Sequence, residues 1–194
     1  MAIATNLQDN LDNQTAQFLQ EAESTFQWTK QWYPVAVAEF LDPSRPHPIQ
    51  LLGKDLVLWQ DTAGKWHCFA DFCPHRLAPL SQGRVESDGT LLCAYHAWRF
   101  DGKGNCVSIP QSQDKETEAK NCANVQSCAV VYPTQKLQGL IWVWAESGTE
   151  AQVESKLRQP RTIPELDDDS GRVVKPFWNI RDLPYGCLLY TSPS

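Results

Sequence analysis

Short runs of alternating hydrophobic and polar residues predict a β-rich domain between about residues 28 and 150. Turn residues separate the runs, as at Asp61-Thr62-Ala63-Gly64, where the flanking segments are predicted to form a hairpin. This spacing of short strands and turns is typical of an all-β fold built from antiparallel sheets. The predicted strands cover residues 32–40, 56–59, 66–70, 90–93, 98–100, 106–109, 129–132 and 139–144.

The flanking segments differ from this domain in composition. The start of the chain is polar and rich in Gln, Asn and Glu, which indicates an arm or a frayed helix. Residues 111–121 are predicted to be a charged surface loop, and the Pro-punctuated, acidic stretch after Glu150 indicates a linker. The predicted organisation is a polar arm (1–27), the β domain (28–160), a linker with the first strand of a second domain (161–186), and residues 187–194.

Composition narrows the class of protein. The chain has 194 residues, of which 42% are hydrophobic, and eight are Trp, so it is predicted to fold around a core. No run approaches the roughly 18 apolar residues of a membrane span. The net charge of −6 argues against nucleic acid as a partner. Since no secretory signal is recognisable, we expect a cytoplasmic protein, whose seven Cys serve as metal ligands or buried thiols rather than as a disulfide framework.

Two short pairs of metal-ligating residues form the most informative motif. Cys73 and His75 are separated by one residue, 17 residues follow, and Cys93 and His96 are separated by two. Two thiolates and two imidazoles fit either one tetrahedral zinc ion or a Rieske [2Fe–2S] cluster with two Cys on one iron and two His on the other. Zinc pairs usually group like residues, whereas here each pair contains one Cys and one His. The spacing therefore favours the cluster.

The segment from Cys73 to Gln111 resembles the Rieske domain of Rieske non-haem iron oxygenases. Within these it most resembles the branch of pheophorbide a oxygenase and chlorophyllide a oxygenase from cyanobacteria and chloroplasts. The resemblance extends from about Trp28 to Gly186. The stretches that carry it, besides the two pairs, are RLAPL (76–80), GR (83–84), YHAW (95–98), IPQ (109–111), QGLIWVW (138–144) and RDLPYG (181–186).

This resemblance implies a Rieske domain with two cluster-binding loops, followed by the start of a truncated α+β catalytic domain. It implies that Cys73 and Cys93 bind the inner iron and that His75 and His96 bind the outer iron. It further implies a ferredoxin or reductase as electron donor, a tetrapyrrole-like substrate, monooxygenase chemistry in chlorophyll metabolism, and a homotrimer. A stand-alone Rieske ferredoxin is the alternative. Rieske proteins of cytochrome complexes carry an added disulfide, which Ala78 and Tyr95 preclude at the corresponding positions.

The family's oxygen-activating site is a mononuclear Fe(II) bound by two His and a carboxylate. The chain has four His, of which the cluster takes two, so this iron is expected only in the missing C-terminal domain.

The last eight residues, CLLYTSPS (187–194), resemble a translated sequencing adapter and are expected to be an artefact. Thylakoid attachment through the missing part is an alternative to a purely cytoplasmic location.

Several further residues have predicted roles. Trp98 is expected to shield the cluster from water. His67 is expected to point outward from a strand, and His47 to lie in a loop. Four basic residues near the loops, with Asp101 as the only acid, predict either a docking patch for an acidic donor or ordinary solvated charge. These basic residues are Arg76, Arg84, Arg99 and Lys103. The thiols expected to be buried or incidental are Cys68, Cys106, Cys122 and Cys128.

Overall fold

The computed structural model describes residues 26–164. The polar arm up to residue 25, the predicted first strand of a second domain and the segment 187–194 lie outside the described residues. Short strands make up most of the regular structure, and two helices accompany them. The strands are β1 (Trp32–Val37), β2 (His47–Leu51), β3 (Lys54–Gln60), β4 (Trp66–Ala70), β5 (Arg84–Val85), β6 (Leu91–Leu92), β7 (Arg99–Phe100), β8 (Cys106–Ser108), β9 (Val131–Tyr132), β10 (Thr134–Leu137) and β11 (Leu140–Trp144), and the helices are α1 (Lys115–Cys122) and α2 (Thr149–Leu157).

The strands form three antiparallel sheets, which confirms the predicted all-β class. The first sheet has the order β1-β11-β10, the second β2-β3-β4-β9, and the third β5-β6-β7-β8. The predicted hairpin joins β3 and β4 and is closed by a 3.0 Å hydrogen bond from the Asp61 N–H to the Lys65 carbonyl. Gly64 has φ 80° in this turn, a conformation that glycine adopts without steric cost.

The second sheet separates two hydrophobic cores. Along β3, Leu56 and Leu58 face the first core, which the first sheet covers, while Val57 and Trp59 face the second core. The third sheet and the loops carrying the predicted metal ligands contribute to this second core. Both faces of β3 are therefore buried, and the side chains still alternate between two sides, as the pleat of a strand requires.

His67 is buried, so the prediction that it points outward is wrong. It lies on β4, between β3 and β9, where both faces of the sheet are covered. Its Nε2 lies 2.8 Å from Asp61 Oδ2, and its ring stacks on Trp59 at 4.7 Å between centroids. A Cβ added at Gly102 would lie 2.3 Å from the His67 ring, so the close approach of this turn requires glycine.

His47 is also placed differently from its prediction as a loop residue. It is the first residue of β2 and is buried, with Nε2 2.7 Å from the Asp42 carbonyl oxygen. Both buried histidines thus have a hydrogen-bonding partner nearby in the chain, which explains how their polar rings are accommodated in the interior.

The two helices occupy segments that the sequence analysis treats as a charged loop and the beginning of a linker. Helix α1 begins after Asp114, whose carboxylate accepts a 2.8 Å hydrogen bond from the Thr117 N–H. Helix α2 follows Gly148 and contacts the segment just before β1 through an ion pair of 2.6 Å between Lys30 and Glu154. Neither helix in residues 26–164 has the length and apolar character that crossing a bilayer demands.

Candidate metal centre

The first ligand loop is closed by two backbone hydrogen bonds around Cys73. The Cys73 N–H donates to the Ala78 carbonyl at 2.8 Å, and the Leu77 N–H donates to the Cys73 carbonyl at 2.8 Å. Leu77 has φ 58°, which lies in the left-handed region. The chain therefore reverses direction immediately after His75, within a short and tightly defined turn.

The second ligand loop repeats this backbone arrangement around Cys93. The Cys93 N–H donates to the Trp98 carbonyl at 2.9 Å, and the Ala97 N–H donates to the Cys93 carbonyl at 3.0 Å. Ala97 also has φ 58°. This loop joins β6 to β7, so the third sheet fixes both of its ends. The two loops differ in the position of the His, which is the second residue after the Cys in one loop and the third in the other.

We expect the variant Leu77→Gly to be slightly more stable than the unmodified chain. A left-handed conformation costs a non-glycine residue about 1–2 kcal/mol, and the greater entropy of glycine in the unfolded chain offsets about 0.5–1 kcal/mol of that relief. Leu77 is 71% exposed, so little buried area is lost. Urea unfolding measures the difference. Leu77→Ala is the matched control, because it removes the same exposed side chain and keeps the strain. A Leu77→Gly variant no more stable than Leu77→Ala would contradict the expectation.

The thiols of the two loops form a buried pair. Cys73 and Cys93 are each 1% exposed and belong to the second core. Burial raises the pKa of Cys73 to about 12, the backbone N–H groups of His75 and Arg76 oppose this rise, and the neighbouring Cys93 adds to it. A bound cation would reverse this preference, because a coordinating thiol is deprotonated by the metal.

The imidazoles of the two loops form a second, less buried pair. The rings of His75 and His96 lie 4.6 Å apart between centroids, at an interplanar angle of 70°. Partial burial, followed by the neighbouring charges of His96 and Arg76, lowers the pKa of His75 below its ordinary value. The lowered pKa favours the neutral imidazole of His75, which is the form that binds a metal.

Aromatic side chains cover the imidazole pair. Trp98 stacks on His75 in parallel, with centroids 4.6 Å apart and an angle of 4° between the planes. Tyr95, which is exposed, lies against the His96 ring at 3.9 Å. Trp98 is thus placed as its predicted shielding role requires, on one face of one imidazole.

Gln111 is a neighbour of the second loop that the motif did not reveal. Its Nε2 donates a 2.7 Å hydrogen bond to the backbone carbonyl of His96. Gln111 lies 15 residues after His96 in the chain and belongs to the IPQ stretch. The spacing of the motif does not predict an amide beside the His96 carbonyl, because the contact depends on the path of the chain after β8.

The predicted basic patch is paired with acids at two of its four basic residues. Arg84 forms an ion pair of 2.7 Å with Glu86, and Arg99 pairs with Asp88, an acid that the sequence interpretation did not count. The hydroxyl of Thr90 accepts a further hydrogen bond from Arg99 at 3.0 Å. The surface beside the loops therefore carries less net positive charge than the motif suggested.

The four predicted ligands fit a two-iron cluster better than a single ion. They are arranged as a buried thiol pair and a less buried imidazole pair. A Rieske cluster needs two thiolates on one iron and two imidazoles on the other. The donor set and its pairing match this requirement.

Comparisons with known proteins agree with this geometry. Residues 31–129 match the Rieske [2Fe-2S] domain family. The chain is 43% identical to pheophorbide a oxygenase, chloroplastic, from Oryza sativa subsp. japonica, over 92% of this chain and 33% of the relative. It is 34% identical to chlorophyllide a oxygenase, chloroplastic, from Chlamydomonas reinhardtii, over 83% of this chain and 24% of the relative.

Among solved structures, dicamba monooxygenase bound to 3,6-dichlorosalicylic acid superposes with a TM-score of 0.62 at 28% identity. The superposition covers 75% of this chain and 39% of that structure. The chain spans about a third of the length of the two chloroplastic pheophorbide a oxygenases that it matches. The chain therefore belongs to the Rieske [2Fe-2S] domain family, in the branch of Rieske oxygenases that includes pheophorbide a oxygenase and chlorophyllide a oxygenase.

Proposed function

We propose that this chain is the electron-accepting part of a Rieske-type oxygenase that acts on a chlorophyll-type tetrapyrrole. In the proposed centre, the Cys73 and Cys93 thiolates bind the inner iron of a [2Fe–2S] cluster, and the His75 and His96 imidazoles bind the outer iron. The observation that carries this assignment is the placement of two buried thiols and two less buried imidazoles on loops of matching backbone.

Such a cluster, when bound, holds one electron at a potential between about −150 and +300 mV. The chain's own residues determine the surroundings. The second core keeps water from the thiol pair, while the imidazole pair lies nearer the surface, where a donor can approach. Because Arg84 and Arg99 are already paired with acids, we expect docking of a donor to depend less on positive charge than the sequence alone suggested.

The assignment to an oxygenase is supported by the relatives and concerns the longer protein. Two of those described above are named as oxygenases of pheophorbide a and chlorophyllide a. We propose that the remainder of the protein binds a mononuclear Fe(II), which receives the electron, and that reduced ferredoxin or a reductase supplies it. A homotrimer belongs to the same proposal, and so does a location in the cytoplasm or at the thylakoid membrane. The names of the relatives, which call them chloroplastic, support only an association with the chloroplast.

The proposed cluster is tested with the purified chain after anaerobic reconstitution with iron and sulfide. We expect two iron and two sulfide per chain, visible absorption that bleaches on reduction, and coupling of the reduced cluster's electron spin to two imidazole nitrogens by pulsed electron paramagnetic resonance. A colourless protein that binds one zinc ion would contradict the proposal, and so would a cluster without nitrogen coupling. The substrate class is tested with the full-length protein, by looking for incorporation of oxygen into pheophorbide a or chlorophyllide a.

A further inference from the structure

A second pair of thiols lies outside the candidate metal centre. The Sγ atoms of Cys106 and Cys122 are 3.4 Å apart. Cys106 is the first residue of β8, and Cys122 is the last residue of α1. Both were predicted to be buried or incidental thiols, because neither has a His neighbour at ligand spacing, and 15 residues separate them in the chain. In the fold they are in contact.

A carboxylate fixes this contact by joining α1 to β8. Glu118, in the middle of α1, accepts hydrogen bonds from the Ile109 N–H at 2.7 Å and from the Ser108 hydroxyl at 3.0 Å. These bonds lower the pKa of Glu118, so the carboxylate remains ionised and keeps both interactions at neutral pH. The two thiols are thus held in register before any bond forms between them, which reduces the entropy cost of joining them.

The two thiols differ in accessibility. Cys106 is 6% exposed, and burial is the main cause that raises its pKa above the ordinary value. Cys122 is more exposed, at the end of its helix. A third thiol, Cys128, also lies near Cys106 and donates weakly to the Asn124 carbonyl. A reagent from solution therefore reaches Cys122 before Cys106.

We propose that Cys106 and Cys122 form a reversible disulfide by exchange with a low-molecular-weight or protein disulfide. The Cys122 thiolate attacks one sulfur of the external disulfide, forms a mixed disulfide and releases one thiol. The Cys106 thiol then gives its proton to water, attacks the Cys122 sulfur and releases the second thiol. Two protein thiols are oxidised and one external disulfide is reduced to two thiols, so the exchange is balanced and a dithiol reverses it.

The disulfide would restrain a segment that reaches the candidate metal centre. Residues 107–111 follow Cys106 directly, contact α1 through Glu118, and end at Gln111, which donates to the His96 carbonyl. A Cys106–Cys122 disulfide would therefore restrain both the start of this segment and the helix α1 that contacts it. The segment supports the second ligand loop through Gln111. This placement distinguishes the pair from Cys68, which is fully buried on β4 in the other core.

The proposal is tested by mapping disulfides in the cluster-loaded protein after incubation with oxidised glutathione. The reaction is stopped with acid, free thiols are alkylated, and trypsin separates Cys106 (peptide 104–115) from Cys122 and Cys128 (peptide 121–136). We expect these two peptides to be linked, two thiols to be lost, and dithiothreitol to restore both. The visible absorption of the cluster, monitored throughout, shows whether the ligand thiols stay bound.

Single variants identify the sulfur atoms. Cys106→Ser and Cys122→Ser should abolish the linked peptides, whereas Cys128→Ser and the buried control Cys68→Ser should retain them. A link that survives Cys122→Ser and disappears in Cys128→Ser would overturn the assignment of Cys122. Glutathione adducts without any link between the two peptides would overturn the disulfide itself. Neither result bears on the metal centre, whose absorption is measured in the same sample.

Discussion

Replacing Cys93 with Ser should abolish the bound cluster, because the inner iron loses one of its two thiolate ligands. We expect less than about a tenth of the iron and of the visible absorption of the unmodified chain to remain. Cys93 is 1% exposed and shares its core with Cys73. The second loop contains no other Cys that could replace it. A serine hydroxyl at this buried position remains protonated and is a poor ligand for iron. Iron analysis and the absorption spectrum after reconstitution measure the loss.

The matched control for this experiment is Cys68→Ser. Cys68 is also fully buried, so the control places the same hydroxyl in the core but outside the proposed centre. It should keep its iron, although it loses some stability because a hydroxyl is buried. Far-ultraviolet circular dichroism of both variants shows whether the chain is folded. Full iron content in Cys93→Ser, or equal loss in both variants, would refute the ligand assignment.

Replacing Phe100 with Ala should lower the free energy of unfolding by about 3–5 kcal/mol. Phe100 lies on β7, directly after the second ligand loop, and has no exposed surface. It packs in the same core as Cys73 and Cys93, so its removal leaves a cavity in the core that holds the thiol pair. We therefore also expect the variant to lose its cluster faster on heating, because opening of this core exposes the thiolates.

Phe40→Ala is the matched control, since it makes the same substitution at a residue that is 66% exposed. Its effect should be within about 0.5 kcal/mol of zero. Urea unfolding of the metal-free chains, followed by tryptophan fluorescence, compares the two variants without the irreversible loss of the cluster. Equal midpoints for Phe100→Ala and Phe40→Ala would show that the β7 core does not support the fold as described.

The strands were predictable wherever one rule of local chemistry sufficed. The Asp61–Gly64 turn predicted the β3–β4 hairpin because Asp and Gly are the residues that such a turn requires. The four proposed ligands also follow from a local rule, because a cluster with two kinds of ligand imposes a spacing of short mixed pairs. These features depend on residues close to one another in the chain.

The sequence predictions were wrong or incomplete where contacts between distant parts of the chain determine the local structure. Helix α1 has no hydrophobic stripe, so periodicity did not reveal it, although Asp114 as a cap and the run of Lys, Glu and Ala favour a helix. His67 alternates with apolar neighbours like a surface residue, but the turn at Gly102 covers it. The contacts of Gln111 with His96 and of Cys106 with Cys122 join residues that are distant in the chain, so the sequence contains no local signal for either.

The pairing of β1 with β11 determines how the domain responds to force. Trp32, at the start of β1, lies opposite Trp144, at the end of β11, so the outer ends of these two strands lie side by side at one end of the first sheet. A pull on these ends loads the β1–β11 hydrogen bonds one after another, beginning at Trp32, rather than all at once. The third sheet and the ligand loops belong to neither of these strands, so they carry no load until β1 and β11 have separated. Under tension β1 and β11 should therefore separate before the ligand loops are stretched.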